Sequence, residues 1–168
     1  MSGGHGSTPF PKSLPASREK PSYRYRLVKT HVAVHGQKQP VDAKDATLHF
    51  AAENIAVHPA AKLTKVAIGS SDSVTPVYEL SEGGSLAVPT GWIYLRLATP
   101  MKLNEKAAEL RAAGYRIVRT LSHAPNAGWV TGIGGGIASS LNGIGKLDAI
   151  PGIEEVAPQM LSRAARKG

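Results

Sequence analysis

Six histidines, one glycine run and a set of alternating aromatics are the residues of this chain whose types and spacing could do chemistry. His31 and His35 are four apart, but they fall in an alternating, strand-like stretch. There that spacing spans two pleats and does not stack the rings on one helical turn as metal ligands. His49, His58 and His123 have no carboxylate at ligand spacing, so the expectation is surface or strand-face histidines and no metal site. The run Gly132-Ile133-Gly134-Gly135-Gly136 precedes a helical pattern, where a phosphate cradle would sit. A phosphate loop ending at Gly145-Lys146 would need glycine where Ser140 stands and a hydroxyl where Leu147 stands; a dinucleotide fingerprint from Gly134 would need a small Gly or Ala where Ser139 stands. The run therefore reads as a flexible connection. No Gly-x-Ser-x-Gly elbow occurs, and the chain has no cysteine, which removes thiolate catalysis, Cys-ligated zinc and disulfides together. The expectation is a non-enzymatic protein with no cofactor.

The aromatics are more promising. Trp92, Tyr94 and Arg96 alternate with the apolar Ile93, Leu95 and Leu97, so the first three share one face of a strand. Trp129, on another strand, could join them. Such a sheet face could stack single-stranded bases or dock a protein. The basic-Gly-aromatic pattern of ribonucleoprotein strands is absent, since Gly128-Trp129-Val130-Thr131 stands there.

The elements that would position this face are legible from residue 89 on. Trp92–Leu97 reads as a strand. Asn104 is a plausible N-cap for a helix over 105–113, with Gly114 as its stop. Tyr115–Leu121 and Trp129–Thr131 read as strands. Ile137, Leu141, Ile144, Leu147 and Ile150 recur at helical spacing, with Gly143 and Gly145 as weak points. Ile153–Val156 is a last strand. The order predicts an α+β fold, a ferredoxin-like β-α-β-β-α-β sandwich over 89–161. Before it, 25–88 reads as a β-rich irregular extension, with strands expected at 48–50, 62–68 and 77–80.

Charge separates the ends from the body. The 168 residues carry a formal net charge of +8, with +6 in residues 1–40, −1 in 41–162 and +3 in the last six. Residues 1–24 hold 12 Gly, Pro or Ser and read as a disordered basic arm, and 162–168 read as a basic tail. Lys12, Arg18, Lys20, Arg24 and Arg26 are the candidates for holding nucleic acid or another anionic surface without sequence readout. The chain as given opens on no apolar signal stretch and contains no span of about 18 apolar residues. The expectation is a cytoplasmic protein or a component of a larger assembly, with no membrane contact.

The segments 88–97, 107–121, 127–130, 137–141 and 147–161, above all Pro151-Gly-Ile-Glu-Glu-Val-Ala-Pro158, resemble the N-terminal prodomain (the fervidolysin-type propeptide inhibitor) of subtilisin-like serine proteases, over about 76–161. The resemblance implies the same β-α-β-β-α-β fold and a stand-alone inhibitor or folding chaperone of such a protease. It also implies a sheet face, here Trp92, Tyr94 and Trp129, that docks on the enzyme, and a following segment, here Gln159, Met160, Leu161, Ser162 and Arg163, that lies product-like in the cleft. The family commonly carries a carboxylate on its docking face, yet 110–147 contains no Asp or Glu. The competing expectation is a structural or assembly subunit that uses the same fold to dock a neighbouring chain and its basic arms to hold nucleic acid.

Overall fold

The computed structural model describes residues 9–81, 84–134 and 136–163. Its strands are β1 (Ser13–Pro15), β2 (Arg24–His35), β3 (Leu48–Phe50), β4 (Ile55–Pro59), β5 (Ser73–Leu80), β6 (Leu86–Leu97), β7 (Tyr115–Leu121), β8 (Ala124–Gly132) and β9 (Ile153–Leu161). The helices α1 (Ala107–Ala112), α2 (Ile137–Asn142) and α3 (Ile144–Asp148) are short, and 3-10 turns occupy Ala60–Lys65 and Leu103–Lys106. The nine strands form an antiparallel sheet in the order β3-β4-β2-β5-β6-β8-β7, with β1 beside β2 and β9 beside β6.

This arrangement corrects the expected α+β, ferredoxin-like sandwich with its disordered arms. The protein is mostly β, because the stretch read as an extension supplies β2 to β5 and the helices are only five or six residues long. β6 runs through Pro89. The ladder to β5 ends at Ala87 and the ladder to β8 begins at Trp92, so Pro89, with no N–H to donate, falls between those two ladders.

The contacts divide the chain into two compact units. The first, called here the strand unit, comprises Tyr25–Pro89 with the chain from Met160 on. β4 and the end of β2, Ala33–His35, are buried on both faces. Ala33, Ile55, Val57, Val77 and Val88 form one cluster, to which Leu48, Phe50 and Leu161 add. Val34, Val41 and Ala56 form a second, covered by Leu63 and Val66. The β2–β5 register shifts between Val28 and Val32, and the neighbours Ala33 and Val34 are both buried. The strand expected at 62–68 is instead the 3-10 turn, with Leu63 and Val66 turned to the second cluster.

The second unit, called here the helical unit, comprises the chain up to Arg24 together with Thr90–Gln159. Here α1 packs on β7 and α2 on β8. Ile93, Leu95, Leu97 and Val130 are fully buried, as are Leu103, Leu110 and Leu147 from the helical connections. Asn104 is not the N-cap: a 3-10 turn precedes α1, Glu105 accepts from the Lys102 N–H, and the Asn104 side chain takes the Thr120 hydroxyl instead. The second helix is split at Gly143, where a Cβ would stand 2.6 Å from the Tyr115 hydroxyl. That approach lets the buried Tyr115 donate to the Ser140 carbonyl.

The part of the basic arm that the structure describes is ordered, which corrects the expectation for 9–24. Leu14 is buried in β1, and the following turn is tied to β9 through one buried carboxylate, Glu155 (8% exposed). Glu155 accepts the Ser17 hydroxyl at 2.6 Å and the backbone N–H groups of Arg18 and Val156 at 2.9 Å each. The Arg18 N–H lies 3.1 Å from the Val156 carbonyl, and its guanidinium donates to the Ile153 carbonyl. These hydrogen bonds offset the entropy that composition alone suggested could not be met. The chain from 164 on, most of the expected basic tail, lies outside the described residues.

Candidate docking surface

In the helical unit, β6 and β8 pair Ile93 with Val130 and Leu95 with Gly128 toward the helices. Alternation then sends Trp92, Tyr94, Arg96 and Trp129 to the face that carries no helix of this unit. Tyr94 sits directly opposite Trp129, and Trp92 opposite Thr131. The Tyr94 and Trp129 rings meet edge to face at 5.5 Å, and Trp92 and Trp129 meet at 6.0 Å. All three rings are half-buried. The structure thus brings together the three aromatics named from the sequence.

Two further residues join them that the sequence reading missed. Arg116 pairs with Thr131 and Arg119 with Trp129, so both stand on the aromatic face. Three residues apart in a regular strand, they would point to opposite faces. The register of β7 shifts between Ile117 and Arg119, and the extra residue, Val118, brings Arg119 round to the side of Arg116. The Arg119 guanidinium lies 5.9 Å from the centre of the Trp92 ring, a cation–π contact. Among the described residues, neither Arg116 nor Arg119 has a carboxylate partner. Arg96 differs: Glu19 at 2.7 Å and Glu154 at 3.7 Å neutralise it. The signal available in the sequence was the absence of acids over 110–147; the bulge that gives it a direction has no sequence mark.

The remaining candidates are placed as follows. Gln159, Met160 and Leu161 do not form a free strand but lie within β9. The Gln159 side chain accepts the Thr90 hydroxyl at 2.7 Å, and Leu161 packs on the first cluster of the strand unit. Ser162 and Arg163 border a shallow hollow of about 250 Å³ with Thr47, Leu48, Ser85 and Leu86. Arg18 is engaged at Ile153 and lies 3.9 Å from Asp148; Arg24 bonds Ser13; Arg26 sits opposite Glu79 in β2; Lys20 stands over the Tyr23 ring; and Lys12 is exposed.

Two histidines correct the surface expectation. His35 and His58 are core residues of the strand unit. The His35 ring bonds the Thr75 hydroxyl at 2.9 Å, and burial holds its pKa down at about 4. His58 donates to the Asp42 carbonyl at 2.8 Å. Both rings are tied to structural partners. Among the described residues no group of three His, Cys, Asp or Glu is gathered as metal ligands. The glycine run serves packing at its start: the Gly132 N–H donates to Ser140 Oγ at 2.8 Å, and a Cβ there would crowd that oxygen at 2.9 Å. Gly135 lies outside the described residues. No described helix is long and apolar enough to cross a membrane. No known protein family, curated protein or solved structure matches the chain.

Proposed function

We propose that this protein is a non-enzymatic docking module that binds another protein through the helix-free face of β6, β8 and β7. The observation that carries this reading is the contiguous cluster of Trp92, Tyr94 and Trp129, flanked by Arg116 and Arg119. Trp, Tyr and Arg are the residue types that dominate the centres of protein interfaces. A protein partner fits better than single-stranded nucleic acid. The rings lean on one another, and Arg119 stands over Trp92, so few open π-faces are left for bases. The basic N-terminal residues give nucleic acid little more support, because Arg18 and Arg24 are engaged within the fold.

The test is a photo-crosslinker, p-benzoylphenylalanine, in place of Tyr94 in cells that make the protein. The expected result is an adduct to one discrete protein that disappears when Trp129 is also changed to Ala. No protein adduct, or an adduct to nucleic acid alone, overturns the reading.

A second reading takes the partner to be a subtilisin-like protease, inhibited or helped to fold in trans. It is favoured by the run strand, helix, strand, strand, helices, strand from β6 to β9, hydrogen-bonded in the order β9-β6-β8-β7. Because Gln159–Leu161 are built into β9, such binding would rest on the sheet face and not on a cleft-filling tail. Slowed hydrolysis by a subtilisin-like protease that is lost in Trp92→Ala/Trp129→Ala would support it; hydrolysis unaffected by the intact protein would end it.

A further inference from the structure

We infer that the partner docks by adding an extended, acidic segment as a new strand beside β7; this rests on the docking reading above and names the chemistry of its ligand. The hydrogen-bonded order of the sheet ends at β7, whose only strand partner among the described residues is β8. The outer row of its peptide groups, over seven residues, therefore meets no strand among the described residues. Such an edge pairs readily with an extended chain, and the side chains on either face decide which chain.

Here one face decides by charge. The Val118 bulge sets Arg116 and Arg119 side by side on the aromatic face, and neither has a carboxylate within the molecule. The whole stretch 110–147 lacks acids. Arginines on an edge strand deter pairing with a like copy. That repulsion and the attraction for carboxylates together give specificity for an acidic strand. Side chains directly opposite on neighbouring strands lie about 5 Å apart, within reach of a charge-assisted hydrogen bond. The fitting ligand is therefore a segment with carboxylates at every second position, facing Arg116 and Arg119, and small apolar residues between them.

The experiment uses the full chain and a fluorescein-labelled heptapeptide of alternating glutamate and valine. Three comparison ligands are the lysine–valine analogue, the glutamate peptide N-methylated at alternate residues, and a ten-nucleotide oligothymidylate. Saturable binding of the glutamate peptide is expected, weakened about tenfold in Arg116→Glu/Arg119→Glu, which reverses two ion pairs. The lysine peptide should then bind the variant better than the parent. The N-methylated peptide should lose most of its affinity, because strand addition needs its N–H groups. On the unaltered protein, the glutamate peptide should slow amide exchange within 115–121, a readout independent of whether the variant folds. No saturation below about 1 mM, equal binding of the N-methylated peptide, protection confined to other strands, or preference for the oligonucleotide each overturns the proposal. A Tyr94 adduct retained alongside any of these results removes the β7 rail alone; an absent adduct removes the docking reading itself.

Discussion

The strand unit and the helical unit spend their sheets differently. In the strand unit, β2 and β4 bury Ala33 and Val57 on one side and Val34 and Ala56 on the other. Its polar groups are closed in as well: His35 answers Thr75, and His58 answers the Asp42 carbonyl. In the helical unit, short helices cover one face of β6 and β8, and the other carries three aromatics and a fringe of arginines. A sheet covered twice is a scaffold, and a sheet covered once has a surface to offer. Chemistry directed outward therefore belongs to the helical unit.

The sharpest way to break this contrast is to substitute neighbours on opposite faces of β6. Leu95→Ala, on the fully buried side, should cost about 2–5 kcal/mol in urea denaturation, whereas Tyr94→Ala, on the half-buried side, should cost about 1 kcal/mol. Equal losses would mean that both faces are core and that the helical unit has no surface to spare.

Next in size is a pH effect confined to the strand unit. The folded protein keeps His35 neutral down to about pH 4, while the unfolded chain takes up a proton near 6.5. Between those values the unfolded state binds more protons, so stability falls as the pH drops through the window. The full stabilising effect is present above pH 6.5, and about 3 kcal/mol is lost by pH 4. His35→Gln should flatten the difference between urea midpoints at pH 7.5 and 4.5; the same slope in the variant would assign the acid sensitivity elsewhere.

Gly143→Ala should destabilise the helical unit by about 1–3 kcal/mol, since the new methyl meets the Tyr115 hydroxyl at 2.6 Å. In a Tyr115→Phe background part of that cost should vanish, which a double-mutant cycle on melting curves would read; strict additivity would show that the two do not touch. Smallest is Arg96→Ala. Its ion pairs with Glu19 and Glu154 are largely exposed, so the loss should stay below about 1 kcal/mol and shrink further in salt.

What could be read from the sequence follows the same division. Tyr115–Leu121 and Leu48–Phe50 were visible as strands, and alternation put Trp92 and Tyr94 on one face, where they stand. Ile55–Pro59 was missed because four consecutive buried residues leave no alternation to detect. The arm was read as disordered from its Gly, Pro and Ser content, and only the distant Glu155 gives it partners. Arg116 and Arg119 escaped because a bulge changes the phase of a strand without changing its composition.

The tie between Ser17 and Glu155 spans 138 residues of chain. A ribosome adding about 5–20 residues per second needs on the order of ten seconds to make the second after the first. Through that interval the nascent turn that carries Ser17 and Arg18 waits without the strand that will hold it, while Tyr25–Pro89 emerges and begins to pair. Neither unit can close before β9 is made, since that strand supplies Glu155 to the helical unit and Leu161 to the core of the strand unit. A pause in translation anywhere between Ser17 and Glu155 would lengthen that wait.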